Sequence, residues 1–445
     1  MPEPTGSAYE TDEQGPYFFL SYAHTPKIDP DGPDPNHLVV KLFNDISTEV
    51  MNLVPGNLPP GFMDQALRAG NHWPRRVTEA LATCRVFLAL YSPRYFANEN
   101  CGKEWFAFHR RQVDHVAAGL RNPEAIIPLL WVPIDESILP QATRSIHFSH
   151  ALFGELYARS GFSQLININR YSDDYRIAVR QLAEHIVHVA DTVSVEPCEP
   201  SELVDLDCAF GTDERKRSNN WRLQVIVVAD DYYHLPSSPE KRSMDYYGVD
   251  SVRWNPYRPE SAIPLADYAA NLARGLGFAP EIVWFDHYYQ TLLDPASMDG
   301  PAVLLVDPWA TLNPERHERL RAFDQLAKPW VQVIVPWSAA DAQTAANDGV
   351  LRHSMGDALG TRTNQAQLPG RHPLMGLPSL HQFGNALPAA INDAVRNHLR
   401  NSAPNAPDGH KSPRWRLRDL TPRERRESRE HGTETTDGQT PGGAT

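Results

Sequence analysis

One carboxylate stands out because of the residues around it. Glu104 lies in the stretch CGKEWFAF (101–108), between aromatic side chains. A single carboxylate in such a setting can stabilise a developing positive charge or accept hydrogen bonds from hydroxyl groups. The alternative is structural. Near a helix start, Glu104 could interact with the helix dipole or form a surface salt bridge with Arg94 or Lys103, which contributes about 0–1 kcal/mol.

Other standard sequence motifs for chemistry are missing. The chain has no GxxxxGK[ST], GxSxG or HExxH pattern, and ARGLGFAP (273–280) does not match GxGxxG. His147/His150 and His185/His188 have spacings that could suit a metal, but no carboxylate or cysteine is placed to complete a ligand set. We therefore expect no metal and no cofactor. The four cysteines show no CxxC spacing and are too few for a disulfide framework; Cys101 is predicted to be a small buried filler.

The composition argues against a nucleic-acid-binding, membrane-spanning or secreted protein. The 445 residues carry a net charge of -13, so nucleic-acid phosphates and anionic lipids would repel most of the surface. No run approaches the roughly 18 apolar residues of a membrane span. The first residues, MPEPTGSAYETDEQGP, have neither the basic nor the apolar part of a signal peptide. We expect a cytoplasmic protein that binds neither nucleic acid nor membrane.

The elements that would position Glu104 alternate between strand and helix. Near-continuous apolar runs predict strands buried on both faces, and residues 102–116 predict the helix that carries Glu104. This alternation indicates a doubly wound, flavodoxin-like α/β domain, in which ligands bind at the carboxyl ends of the strands. PGNLPPGF (55–62) is a candidate functional loop. The predicted strands are YFFLSYA (17–23), RVFLALY (85–91), AIIPLLWV (125–132) and QLININ (164–169), and further helices are predicted at 37–53 and 174–190.

A second α/β pattern follows. Strands such as LQVIVVAD (223–230) and AVLLVD (302–307) alternate with helices, which predicts a second flavodoxin-like domain, degenerate and non-catalytic. Asp230, Asp231, Tyr232 and Tyr233 follow its first strand, and a loop-lining role is the favoured interpretation. The predicted organisation is a flexible N-terminus (1–15), a first domain (16–190), an acidic linker (191–220), the second domain (221–401) and a disordered tail (402–445).

Several longer blocks resemble a known family. FLSYA at the start of the first domain and YSPRYFANENCGKEW (91–105) are similar to TIR (Toll/interleukin-1 receptor) domains, and the resemblance covers roughly 17–190. GFMDQALRAGNHWP (61–74), CRVFLALYSPRYF (84–96) and CGKEWFAFHRR (101–111) also resemble the TIR-like FxsC proteins of actinobacterial FxSxx-COOH peptide systems.

The TIR resemblance implies an activity and its residues. Many TIR domains cleave NAD between nicotinamide and ribose, and Glu104 falls on the glutamate that carries this activity. A carboxylate suits this reaction because loss of nicotinamide leaves an oxocarbenium-like ribose. Tyr22 and His24 match the positions that line the TIR pocket, and Trp73 belongs to the loop that caps it. Tyr95 would flank the substrate, although core and edge packing is the favoured interpretation for the aromatic residues Tyr95, Phe96, Trp105 and Phe106.

A scaffold is the second hypothesis. Asn100 stands where many active TIR domains have an aromatic residue, and Ala23 and His24 stand where basic residues often follow the first strand. A non-catalytic TIR-like scaffold would bind other TIR domains, a second copy of itself, or the FxSxx-COOH peptide and its radical-SAM maturase. Loop 55–74 would then be its contact surface. An enzyme would have NAD as its substrate and would need no other cofactor.

Overall fold

A computed structural model describes most of residues 15–401. The described residues are 15–27, 29, 31–55, 60–64, 74–144, 146, 148–203, 206–211, 221–235, 242–294, 300–326, 328–362 and 375–401. The predicted N-terminal segment and C-terminal tail therefore lie almost wholly outside them. Within residues 1–400, both halves of the chain belong to one compact unit. None of the described helices combines the length and apolar character that a bilayer-spanning helix needs.

The first half of the chain forms a parallel sheet covered by helices on both faces. In the described residues this sheet has the order β2-β1-β3-β4. Its strands are β1 (Phe18–Ser21), β2 (Gly61–Met63), β3 (Val86–Tyr91) and β4 (Ile126–Leu130). Its helices are α1 (His37–Leu53), α2 (Arg75–Thr83), α3 (Pro93–Ala97), α4 (Glu99–Ala117), α5 (Gln141–Arg144), α6 (Glu155–Asn167) and α7 (Ser172–Thr192). The predicted flavodoxin-like α/β fold is confirmed.

Side chains of the first sheet alternate between two cores, because successive residues of a strand point to opposite faces. Phe18 and Leu20 pack in the core that includes α1, α6 and α7. Phe19 and Phe87 point to the other face, where Phe87 stacks on Phe108 of α4 with ring centroids 5.5 Å apart. Burial on both faces explains why these strands are almost entirely apolar.

The second half repeats the architecture with the strand order β6-β5-β7-β8-β9, again parallel throughout the described residues. The strands are β5 (Arg222–Val228), β6 (Ala279–Trp284), β7 (Ala302–Val306), β8 (Val331–Pro336) and β9 (Met375–Leu377). The helices are α8 (Leu265–Gly275), α9 (Phe285–Leu293), α10 (Pro314–Asp324), α11 (Ala342–Ala346), α12 (Asp348–Ala358) and α13 (Leu380–Asn401).

Helix α4 contacts both halves of the chain. Val113 and Ala117 belong to the hydrophobic core of the second sheet. The His109 Nε2–H donates to the Asn271 carbonyl over 3.1 Å, and burial lowers the pKa of this imidazole to about 4, so the ring is neutral. The Tyr268 hydroxyl donates to the Asp114 carboxylate over 2.6 Å. These contacts join α4 to α8 along its C-terminal half.

The segment predicted as a linker packs against α4 in its described parts. Val195, Leu203 and Phe210 are buried in the same core as the N-terminal half of α4. The Ala209 N–H donates to the Gly102 carbonyl, and a Cβ at Gly102 would lie 2.3 Å from the Cys208 sulfur. Only glycine permits that approach, so this residue lets the segment lie directly on the helix. The domain boundaries proposed from the sequence stay predictions.

The prediction of a strand at 164–169 is wrong, because α6 continues to Asn167 and a 3-10 turn (Asn169–Tyr171) follows. Phe162 and Leu165 are buried beside α7, so the apolar pattern belongs to a helix face. β2 was also missed: it lies partly within the predicted loop at 55–62.

Gly161 kinks α6 with a φ of 72°, and a Cβ there would lie 2.7 Å from the Trp131 carbonyl oxygen.

The kink at Gly161 predicts that a methyl side chain at this position destabilises the protein. Gly161→Ala should lower the free energy of unfolding by about 1–3 kcal/mol, because alanine would be strained at positive φ and would contact the Trp131 carbonyl. Gly356→Ala is the matched control: Gly356 lies in α12 with open space around it, so alanine should be neutral or stabilising by up to about 1 kcal/mol. Urea denaturation of both variants tests this, and equal stabilities would contradict it.

Candidate functional site

The candidate site lies at the carboxyl end of β1, where a parallel sheet binds its ligands. Ser21 is the last residue of β1, and α4 passes beside it. Helix α4 begins at Glu99, with the Asn98 side chain accepting a hydrogen bond from the Cys101 N–H. The sequence analysis placed this start about three residues later. Glu104 therefore lies in the second turn, where the helix dipole contributes less than the prediction assumed.

Two hydroxyl groups organise the Glu104 carboxylate. The Ser21 Oγ–H donates to Glu104 Oε2 over 2.6 Å, a distance typical of a hydroxyl donating to a carboxylate. The Tyr95 hydroxyl in turn donates to Ser21 Oγ over 3.1 Å. Glu104 is 9% exposed, and Lys103, one of the salt-bridge partners considered above, pairs instead with Glu99 at 2.8 Å. Glu104 is thus held in the interior by a chain of hydroxyls.

The site favours protonated forms of its neighbouring groups. Burial raises the pKa of the Tyr95 hydroxyl and of the Cys101 thiol well above their usual ranges, and the nearby charge of Glu104 raises both further. A thiol that keeps its proton is a poor nucleophile, which agrees with the interpretation of Cys101 as a filler. The carboxylate of Glu104 therefore lies among hydroxyl and thiol groups that stay neutral at physiological pH.

Tyr22 and His24 form a second small group beside the carboxyl end of β1. The His24 Nε2 lies 3.0 Å from the Asp64 carbonyl oxygen, so this nitrogen carries the proton and donates. In neutral His24 the Nδ1 can then accept from the Tyr22 hydroxyl, 3.3 Å away. Burial raises the pKa of Tyr22, and the charges of Asp64 and Glu104 add to this. His24 thus holds the chain just after β2, where the segment that carries Trp73 begins.

The remaining predicted site residues differ in their surroundings. Tyr95 is fully buried, and its ring packs against Phe96 and Phe210 with centroids 5.6 and 5.4 Å away. Trp105 is also fully buried, so these aromatic side chains form a core beneath the site. Tyr95 reaches the site through its hydroxyl, and direct contact with a substrate stays a prediction. Trp73 lies outside the described residues. In the described part of the chain, no three His, Cys, Asp or Glu side chains are grouped to hold a metal ion.

The comparisons with known proteins give one match. Residues 50–166 match the family model of the TIR domain, about a quarter of the chain. This match supports a TIR domain in that part of the chain. No curated protein and no solved structure matches. The matched range runs from the end of α1 to the end of α6 and includes Tyr95 and Glu104, whereas Tyr22 and His24 precede it.

Sequence analysis missed Ser21 as a residue of the candidate site. It is the partner of Glu104, yet it was considered only as part of FLSYA. The signal that could have found it is a small hydroxyl at the last position of an otherwise apolar, fully buried strand. A buried hydroxyl needs a hydrogen-bond partner, and the facing helix is the element that can supply one.

The carboxyl edge of the second sheet carries a different arrangement. Asp230 follows β5 and pairs with Arg316, and Asp307 follows the neighbouring strand β7. Both aspartates are buried, whereas Tyr232 and Tyr233 are exposed, so only the latter pair has the surface position expected of loop-lining residues.

Asp307 lies in a buried polar network. Its carboxyl accepts a 2.7 Å hydrogen bond from the Tyr247 hydroxyl and a 3.1 Å bond from the Trp309 N–H. Burial raises the pKa of Asp307 to about 7, against the lowering effect of Arg242 and the Tyr247 hydrogen bond, and the charge of Asp230 raises it further. Arg242 is itself paired with Asp341. The cations of this edge are thus already neutralised.

The hydroxyl chain beside Glu104 predicts a stability effect. Ser21→Ala should lower the free energy of unfolding by about 1–3 kcal/mol, because it removes a donor from a buried carboxylate. Tyr95→Phe should cost about 0.5–1.5 kcal/mol, since Ser21 Oγ loses only its own donor. Ser149→Ala, at an exposed position, serves as the control and should change the value by less than about 0.5 kcal/mol. A Ser21→Ala variant as stable as this control would contradict the assignment.

The raised pKa of Asp307 predicts a pH dependence. Between about pH 4, where an aspartate of the unfolded chain titrates, and about pH 7, the Asp307 carboxyl binds more protons in the folded protein than in the unfolded chain. The contribution of Asp307 to stability is therefore present at low pH and is lost as the pH rises to 7. Asp307→Asn, which mimics the protonated form, should gain on the parent in melting temperature by on the order of 2–4 °C between pH 5 and pH 8. If the melting temperatures of parent and variant differed by the same amount at pH 5 and at pH 8, this prediction would be refuted.

Proposed function

We propose that the TIR domain hydrolyses NAD at the bond between nicotinamide and ribose, with Glu104 as the catalytic carboxylate. The observation that carries the proposal is the placement of Glu104. Its carboxylate is held by Ser21 at the carboxyl end of β1, the edge at which parallel sheets bind ligands. Signalling and NAD cleavage are both functions of TIR domains at the family level.

The proposed chemistry needs only one protein carboxylate. As the C1′–N bond breaks, its electron pair leaves with nicotinamide, and positive charge develops on the ribose. The buried carboxylate would stabilise that charge more strongly than a solvated one, because the surrounding aromatic core has a low dielectric constant. Water would then add to C1′ and release a proton, giving ADP-ribose. No cofactor besides the substrate is required.

The other site residues have supporting roles in this proposal. Ser21 and Tyr95 would fix the carboxylate in one orientation, which removes the cost of reorganisation during the reaction. Tyr22 and His24 would border the ribose, and the His24 bond to the Asp64 carbonyl would anchor the segment that carries Trp73. Trp73 would cap the bound nucleotide, as the TIR resemblance implies.

The second candidate function is a non-catalytic scaffold. It is favoured by the complete burial of Tyr95, whose ring packs in the core. TIR domains commonly self-associate or bind other TIR domains, so a second copy of this chain is the first partner to consider. The resemblance to the FxsC proteins adds the FxSxx-COOH peptide and its radical-SAM maturase as proposed partners. The second α/β half would be a degenerate, non-catalytic partner domain, and both functions would be exercised in the cytoplasm.

Removal of the Glu104 charge tests the first function. Concentrated parent protein incubated with NAD should release nicotinamide, measured by chromatography, and Glu104→Gln should release it at least about 100-fold more slowly. Glutamine retains an oxygen that can accept from Ser21, so the fold should survive. Glu99→Gln is the matched control, because Glu99 lies exposed on the same helix and should keep activity within about twofold.

The other outcomes separate the alternatives. Equal release by the parent and by Glu104→Gln would point to a contaminant or a different site and would reject the catalytic role. Silence from parent and variant alike, even with a crowding agent that promotes assembly, would favour the scaffold. In that case sedimentation of the parent at increasing concentration would report self-association.

A further inference from the structure

Two consecutive arginines of α4 are buried in different ways. Arg110 is 3% exposed and Arg111 is 2% exposed. The Arg111 guanidinium donates to backbone carbonyls on two sides, with Nη1 2.7 Å from the Leu81 oxygen and Nη2 3.2 Å from the Val195 oxygen. Its hydrogen-bonding capacity is used by the fold, and its function is structural.

Arg110 does not have such partners. Its Nε and Nη2 are buried and form no hydrogen bond in the described part of the chain. The nearest acid is Asp114, whose Oδ2 lies 3.8 Å from Nε, beyond hydrogen-bond distance. The Oδ1 of Asp114 already accepts from the Tyr268 hydroxyl over 2.6 Å. Arg110 is therefore paired only loosely with Asp114, and two of its nitrogens make no hydrogen bond, a costly state for a protein interior.

A cavity lies against this arginine. It has a volume of about 390 Å³ and is bordered by Arg110 on α4, by Ser201 and Glu202, and by His381 and Asn385 on α13. Ligand sites commonly occupy about 300–1,000 Å³, often at the junction of two structural units. Here the junction is between α4 of the first half and α13 of the second. An added Cβ at Gly384 of α13 would lie 3.5 Å from Arg110 Nη2, so this donor is close to the far wall.

We propose that this cavity binds a small organic anion whose carboxylate or phosphate group pairs with Arg110. Arg110 borders the cavity, and a guanidinium pairs well with both groups. His381 pairs loosely with Glu202, with 3.6 Å between Nε2 and Oε2, so both side chains can turn toward a ligand. The acidic Glu202 favours a ligand that also presents hydroxyl or amine donors. A nucleoside monophosphate or an amino acid has both features.

This site is separate from the one proposed to cleave NAD. Arg110 lies six residues beyond Glu104 on α4, nearly two helical turns away. Binding can therefore be measured without NAD, and failure of one proposal leaves the other intact. Occupation of the cavity would also contact α13, so the ligand would join the two halves of the chain.

Binding to the full chain tests the proposal. Inorganic phosphate, AMP and L-glutamate are added at constant ionic strength, with NaCl as the reference, and the melting temperature and calorimetric heat are recorded. At least one probe should bind and raise the melting temperature. Arg110→Gln should weaken that binding at least tenfold, whereas Arg176→Gln, whose side chain is 75% exposed on α7, should not change it.

Two further variants separate a loss of binding from a loss of the folded structure. Without ligand, Arg110→Met should still unfold in one cooperative transition, although it should melt below the parent because Asp114 loses its countercharge. Asn385→Trp, at an exposed position that borders the cavity, should block binding without touching Arg110. The proposal is overturned if no probe raises the parent's melting temperature above the NaCl reference, or if binding survives in Arg110→Gln and Asn385→Trp.

Discussion

The burial of α4 is the constraint on which the rest of the structure depends. Phe108 stacks on Phe87 of the first sheet, and Val113 packs in the core of the second. Most of the residues of α4 are buried, so the helix needs neighbours on nearly all sides. The two sheets, the segment around Phe210 and helix α8 each cover part of it. The position of Glu104 is set by this packing as firmly as by its own hydrogen bond.

Each polar side chain on a buried helix needs a hydrogen-bond partner or must stay uncharged, and α4 shows both arrangements. Glu104 accepts from Ser21, Arg111 donates to backbone carbonyls, and His109 stays neutral while donating to Asn271. Each solution removes the cost of burying an unpaired group. Arg110, Trp105 and His115 differ, because each has at least one buried nitrogen without a hydrogen-bond partner in the described residues. Each such atom needs an explanation, and for Arg110 we propose a ligand.

The sequence predicts the strands better than it predicts the site. Runs such as VFLALY in β3 are apolar because both faces are covered, and that pattern is local. Glu104 could be placed at the ligand edge because only the short helix α3 separates its helix from β3. The strand expected at 164–169 failed because a short apolar run fits a helix face equally well, and β2 was missed because three residues after two prolines resemble a loop.

Long-range contacts explain what sequence reasoning could not find. The bond between Ser21 and Glu104 joins residues 83 positions apart, and no local pattern announces it. The difference between Arg110 and Arg111 is also invisible in the sequence, since it depends on which carbonyls the folded chain brings near each guanidinium. The start of α4 was an avoidable error, because Asn98 followed by Glu99 is a recognisable capping pattern.

Because α4 packs against both sheets, the range that matches the TIR family is not a separate packing unit. The TIR family match ends at residue 166, yet a helix inside it buries Val113 and Ala117 against β5 and its neighbours. A chain cut after the matched region would expose this apolar strip to water and would tend to aggregate or to recruit another covering surface. The C-terminal half of α4 thus depends on the second sheet for its burial, although the family match does not include that sheet.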